Sequence, residues 1–268
     1  MEHKKKIVVV GGTGLAGSAV VRTLSEQPVD LVVASRATGV NSFTRAGLEE
    51  ALDGADVVID VTNSSYTDEA AALEFFEVSS LNLVNDGRAA GVSHHIVLSI
   101  VGVEKLANSE GGYFRAKALQ ERIVAESGVP YTIIHSTQFF EYLRSIAAFA
   151  TRQGRVTVPD ALVQPVAVEE AAKVISTVSL SEPRNGVLEV AGPQRGRLKD
   201  FIRFDLASVL DDRQVVADAS ATYFGELPTD DLFLPGPSAQ LSDVTISEWL
   251  ETARAAQPDL LHVSWPFP

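Results

Sequence analysis

The sequence predicts an α/β protein built on a doubly wound parallel sheet. Short, β-branched apolar runs alternate with helix-like segments from Ile7 to Ile134, and the runs show little polar alternation. Strands of that kind are buried on both faces, and repeated strand–helix units place helices on both sides of a parallel sheet. A third observation is a glycine cluster between the first strand and the first helix, in "IVVVGGTGLAGSAVVRTL". A chain of 268 residues suits one domain of this type with a modest extra lobe.

The elements follow in order. Ile7–Val10 reads as a strand and Leu15–Gln27 as a helix stopped by Pro28. Leu31–Ala34 is a strand, Leu48–Leu52 a short helix and Val57–Val61 a strand. A long helix runs from about Asp68 to Ala90 and closes at Gly91. Ile96–Ser99 is a strand, Phe114–Ser127 a helix closed by Gly128, and Tyr131–Ile134 a strand. After about Phe139 the rhythm loosens. "QPVAVEEAAKVISTV" reads as an extended entry into a helix, "GVLEVAG" as a strand and "LKDFIRFDLASVL" as a helix. Residues 211–247, rich in Asp, Pro, Gly and Ser, read as loop. The expectation is therefore a single domain over residues 1–268, in which about 139–268 contributes a smaller, loop-rich substrate lobe.

Composition excludes several classes of function. The net charge is −13, which disfavours nucleic acid or an anionic membrane as a main partner. There are no cysteines, hence no disulfide, thiolate nucleophile or cysteine-bound metal. The five histidines form no H-x-x-x-H pair, and His94 and His95 point to opposite sides of a strand, so no metal site is expected. No run approaches the ~20 apolar residues of a membrane span, and no signal segment is apparent. The expected location is the cytoplasm, as a monomer or homodimer.

Gly11, Gly14 and Gly17 are spaced G-x-x-G-x-x-G, and Gly12, Gly14 and Gly17 satisfy G-x-G-x-x-G. With a strand before and an amphipathic helix after, this is the context of a Rossmann-like dinucleotide turn. Glycine lets the pyrophosphate approach the backbone, and the N–H groups at the start of the helix, around Thr13, Leu15 and Ala16, bind it. No acid stands at the end of the second strand to take a ribose 2′-hydroxyl. Ser35 and Arg36 are there instead, and an arginine suits a 2′-phosphate. NADP(H) is therefore expected over NAD(H). Val61, Thr62 and Asn63, at the end of the third strand, are expected beside the adenosine ribose and pyrophosphate.

Four segments, "VVVGGTGLAGSAVVRTL", "HHIVLSIVGVEKL", "YFRAKALQERIVAESGVPYTIIHSTQFFEYL" and "LEVAGPQ", resemble the atypical, NmrA-like short-chain dehydrogenase/reductases over about Ile7 to Pro193. His135 stands where many members have arginine. The resemblance implies either a reductase or a redox-sensing regulator that binds cofactor and a protein partner without turnover. Tyr113 and Lys117 are four apart on a predicted helix, share a face, and match the family's Y-x-x-x-K. The resemblance makes Tyr113 the proton donor. Lys117 lowers its pKa and bonds the nicotinamide ribose, and Ser99 polarises the substrate oxygen. His135, Ser136, Thr137 and Gln138 are expected on the nicotinamide side of the crevice, and Phe139, Phe140 and Tyr142 could line an apolar substrate pocket. The reading is an NADP-dependent oxidoreductase acting on a small carbonyl, enone or alcohol, with the non-catalytic regulator as the alternative. A sugar-nucleotide epimerase fits less well because the C-terminal lobe is short.

Overall fold

The computed structural model describes residues 4–64, 66, 68–107, 112–223, 228 and 231–256. Ser65, most of the loop before Tyr113 and the apolar tail His262–Pro268 lie outside them.

The chain begins with β1 (Lys6–Val10), α1 (Leu15–Ser25), β2 (Asp30–Ala34), a 3-10 turn at Arg36–Thr38, α2 (Leu48–Leu52) and β3 (Val57–Asp60). It continues with α3 (Glu69–Ala90), β4 (His94–Ile100), α4 (Val103–Leu106), α5 (Gly112–Glu126) and β5 (Tyr131–Ser136). A 3-10 turn at Phe140–Tyr142 leads into α6 (Leu143–Phe149), β6 (Thr151–Arg152), β7 (Arg155–Val158), β8 (Leu162–Val163) and α7 (Val168–Ser179). The remainder is β9 (Gly186–Ala191), β10 (Gly196–Arg197), α8 (Leu198–Ser208), β11 (Gln214–Ala217), β12 (Gln240–Leu241) and α9 (Ile246–Ala256).

Seven strands form a parallel sheet in the order β12-β9-β5-β4-β3-β1-β2. The period of two along β1 sorts its residues between two cores. Ile7 and Val9 pack with α1 and α7, while Val8 and Val10 pack with α2 and α3. That is why the strand reads as an unbroken apolar run. The order reverses at β1, between β2 and β3, so the loops after these strands open a crevice at their C-terminal ends, where doubly wound sheets take ligands.

The elements depart from the sequence expectation in several places, among them β4 and β5, which run on to Ile100 and Ser136. Helix α1 ends at Ser25 rather than Gln27. The stretch 211–247 is not all loop: β11 joins β7 and β6 in a second small sheet, and β12 adds the outer strand of the main sheet beside β9. Both strands are short, four residues in β11 and two in β12, so their signal is weak. The third core joins α6, β7, α8 and β11 to Phe76, Tyr113 and Phe114, and so packs the C-terminal elements against the far end of the crevice.

Candidate functional site

A cleft of about 1140 Å³ runs along the C-terminal ends of β1 to β5. At one end lies the glycine turn. Gly11 has φ +83°, in the left-handed region, and donates to the Ala34 carbonyl at 2.9 Å. A Cβ on Gly17 would fall 2.1 Å from the Gly11 carbonyl oxygen, so only glycine lets α1 sit this close to the turn. A Cβ on Gly14 would meet only that same oxygen, at 3.3 Å, because Gly14 faces the cleft. Gly14 is also the N-cap of α1, with no side-chain cap and no acid in the first turn. The first N–H groups of α1 are thus left for a ligand, and Thr13, Gly14, Leu15 and Ala16 line the cleft. This cradle fits a pyrophosphate.

Ser35 and Arg36 follow β2 on the same wall. The Ser35 amide donates to Thr38 Oγ1 at 2.9 Å, which pins the turn that carries Arg36. Arg36 is exposed and has no ion-pair partner among the described residues. Asn41, Ser42 and Phe43 complete this end, a contribution of a coil segment that no motif marks. Val61, Thr62 and Asn63 lie on the cleft wall after β3. Thr62 is held by Asp60, whose Oδ1 accepts from its amide at 2.9 Å and its hydroxyl at 2.6 Å.

At the other end, Ser99, Tyr113 and Lys117 line the same cleft, together with Ser136, Thr137 and Gln138. Tyr113 and Lys117 share a face of α5 but do different things. The Tyr113 hydroxyl donates to Asn63 Oδ1 at 2.8 Å, and Asn63 Nδ2 donates to the Tyr66 hydroxyl at 2.8 Å. Lys117 Nζ donates to the Leu98 carbonyl at 2.7 Å and to Gln120 Oε1, and sits 4.8 Å from the centre of the Phe76 ring. Gln120 in turn donates to Asp60 Oδ2 at 2.8 Å.

The electrostatics correct one expectation. Burial, with Tyr66 close by, raises the Tyr113 phenol well above its usual value, where proximity to Lys117 was expected to lower it. Burial likewise pulls the Lys117 ammonium down to about 8, against the opposing pull of Asp60 and Glu121. Tyr66 packs 4.3 Å from Tyr113, centre to centre, and with Tyr142 and Tyr223 gives this end of the cleft a phenolic lining.

Ser99 and His135 also differ from expectation. They are directly paired in the β4–β5 register. The Ser99 hydroxyl donates to Glu121 Oε1, and His135 Nε2 lies 3.0 and 3.1 Å from the two oxygens of the same carboxylate. His135 does not line the main cleft. It borders a second cavity of about 740 Å³ with Val101, Gln164, Leu188 and Glu189. His135 turns to the same face of the sheet as its register partner Ser99, but β5 lies one strand nearer β9, whose Leu188 and Glu189 border the second cavity with it.

The sequence reading missed Asp60, Gln120, Glu121 and Tyr66. A signal existed for three of them. An acid closing the apolar strand "VVID" is an anomaly, and Lys117, Gln120 and Glu121 have the i, i+3, i+4 spacing of one helix face.

Residues 11–178 match the model of a family described as NAD(P)H-binding. The chain belongs to this family. NAD(P)H is accordingly its cofactor class, and the glycine turn lies at the start of the matched region. Among curated relatives, divinyl chlorophyllide a 8-vinyl-reductase of Cucumis sativus is 28% identical over 222 residues, covering 70% of this chain and 52% of that protein. The photosystem II assembly factor Ycf39 of Cyanophora paradoxa is 27% identical over 151 residues, covering 51% and 46%. The chain thus spans about half the length of the curated relatives it matches. Among solved structures, RMD from Pseudomonas aeruginosa complexed with NADPH superposes with a TM-score of 0.67 at 15% identity, covering 96% of this chain and 99% of that one. WbmG of Bordetella bronchiseptica, in complex with NAD and UDP, gives 0.72 at 16% identity, covering 98% and 100%. At such identities these likenesses establish the Rossmann-like fold. Among the described residues, no helix is long and apolar enough to cross a membrane, and no group of His, Asp and Glu could hold a metal ion.

Proposed function

We propose that the protein is an NADP(H)-dependent reductase of a small, uncharged carbonyl or enone. The observation that carries this reading is one continuous cleft. A helix N-terminus without a cap opens on one end of it, and the hydroxyls of Ser99 and Tyr113, with the Lys117 ammonium, border the other. Its volume exceeds the ~300–1,000 Å³ of an ordinary small-molecule pocket, which leaves room for a dinucleotide and a second molecule. The first amides of α1 would hold the pyrophosphate, and Arg36 with Ser35 the 2′-phosphate. Lys117 has two acceptors for its three hydrogens, and the third would bond the nicotinamide ribose. The bound cofactor supplies a hydride; the chain's hydroxyls supply the proton. The phenolic lining favours a neutral, unsaturated substrate. Lys117 and Arg36 are the only cationic side chains among the described lining residues, so nothing beyond the cofactor's own partners suits a sugar diphosphate.

One observation favours a second reading, a regulator of the NmrA type that senses NADP(H) and binds a protein partner. The Tyr113 hydroxyl is committed to Asn63, and Lys117 to Leu98 and Gln120, as in a site at rest. A screen of ketones, enones and quinones, with NADPH oxidation as readout and NADPH binding measured in parallel, separates the two. Turnover of any of them supports the reductase; tight binding with no turnover supports the regulator.

A further inference from the structure

We infer that Gln120 and Asp60 are positioning residues that aim the Lys117 ammonium at the nicotinamide ribose, while the same Asp60 carboxylate holds the loop after β3 at the other end of the cleft. The inference rests on the placement of the cofactor proposed above, and it holds for a reductase and for a regulator alike. It follows from one buried chain of polar groups behind the cleft wall. Lys117 is 3% exposed, Gln120 0% and Asp60 1%. Lys117 Nζ donates to Gln120 Oε1, and Gln120 Nε2 donates to Asp60 Oδ2 at 2.8 Å. The other oxygen, Asp60 Oδ1, accepts from the Thr62 amide and hydroxyl. Lys117 and Thr62 line the cleft, whereas Gln120 and Asp60 do not, so these two act through the residues that do.

The donors and acceptors of this chain run one way. The Gln120 amide can meet an ammonium and a carboxylate together only with its oxygen toward Lys117 and its NH₂ toward Asp60. The charge of Asp60 therefore fixes the amide, and the amide fixes Lys117. A lysine alone aims poorly, because its ammonium is a point charge on a flexible stem. Here two of its three hydrogens go to acceptors, Gln120 Oε1 and the Leu98 carbonyl, and the tetrahedral nitrogen leaves one direction for the third. A buried ammonium also needs acceptors and opposite charge to persist. Burial pulls Lys117 down to about 8, and Asp60 and Glu121 oppose that pull.

The test compares two ligands by titration calorimetry. NADPH carries the nicotinamide ribose, and adenosine 2′,5′-bisphosphate lacks it. Gln120→Met removes the amide at nearly constant length. It should weaken NADPH binding about ten-fold, the loss expected when a charge-assisted hydrogen bond is disturbed, and leave the bisphosphate unchanged. Lys117→Met should weaken NADPH at least as much. Adding Gln120→Met to Lys117→Met should cost nothing further, because the two act through one bond, whereas a merely structural glutamine would give additive losses. Asp60→Asn, of the same shape, carries the test if Gln120→Met does not fold. It turns the Gln120 amide away from Lys117 and loosens Thr62, so both ligands should bind more weakly, NADPH the more. In a Lys117→Met background the two losses should become equal. Unchanged NADPH affinity in Gln120→Met, additive losses in the double variant, or equal losses of both ligands in either single variant would each overturn the positioning role while leaving the cofactor placement intact. Unchanged NADPH affinity in Lys117→Met would overturn both.

Discussion

The Tyr113 hydroxyl donates to Asn63 Oδ1 at 2.8 Å, so its hydrogen is directed to the loop after β3 and not into a bond with Lys117 or Ser99. Asn63 Oδ1 also accepts from the Ser64 amide at 2.9 Å, and would keep that partner if the phenol were removed. Tyr113→Phe should therefore cost about 0.5–1.5 kcal/mol, the net worth of one hydrogen bond, read as a lower denaturation midpoint. On the reductase reading turnover should fall ~10²–10⁴-fold at unchanged NADPH affinity, the loss of a general acid. Turnover within a few-fold of the wild type would mean that the proton comes from another group.

Gly14 and Gly17 should separate binding from folding. A Cβ at Gly14 meets only the Gly11 carbonyl oxygen, and the backbone there is ordinary extended chain, φ −77° and ψ −179°. Gly14→Val should fold with near wild-type stability and lose NADPH binding, because its branches enter the phosphate cradle. Gly17→Ala should lose both, since its Cβ would lie 2.1 Å from backbone and force α1 away from the turn. Overpacking of this kind costs about 1–3 kcal/mol. Calorimetric titration with NADPH beside thermal unfolding of each variant checks the pair.

Arg36→Ala should weaken NADPH binding and leave NADH binding nearly unchanged. A charge-assisted hydrogen bond contributes ~1.5–3 kcal/mol, about one to two powers of ten in affinity. The exposed setting of Arg36 places the effect toward the lower end. Equal losses for both cofactors would mean that Arg36 does not read the 2′-phosphate.

The strands and the glycine turn were legible because their causes are local. A run such as "IVVV" states that both faces are buried, and the spacing of Gly11, Gly14 and Gly17 states where a helix meets a strand. What the Tyr113 and Lys117 side chains touch was not legible. Their spacing puts them on one face of α5, but their partners come from β3, β4 and the loop after β3, brought in by the fold. His135 shows the same limit in a strand. Ser136, Thr137 and Gln138 line the main cleft as the order of residues suggests, yet His135, on the same face as Ser99 but one strand nearer β9, borders another cavity. The second cavity itself is assembled in part from residues 231–238, in a stretch with no motif at all.

His95 should make the protein sensitive to mild acid. It sits on β4 facing Asp60, is 1% exposed, and its Nε2 has no hydrogen-bond partner among the described residues. Burial pulls its pKa down to about 4, despite the opposing charge of Asp60. In the unfolded chain the imidazole titrates near ~6.5. Between these values the unfolded state holds a proton that the folded state does not, so stability falls as pH drops from about 6.5 toward about 4, and is indifferent to this group above that window. A shift of this size corresponds to roughly 3 kcal/mol in full, of which about 2 kcal/mol should be lost between about pH 7 and about pH 5. His94 is pulled down in the same way, but its Nε2 is 2.9 Å from Thr132 Oγ1 and it is present in both proteins compared below. Urea unfolding of wild type and His95→Leu at the two pH values isolates the His95 contribution. The wild type should lose about 2 kcal/mol more than the variant on acidification. Equal losses in the two proteins would mean that His95 is protonated in the folded state, with Asp60 as its counter-charge.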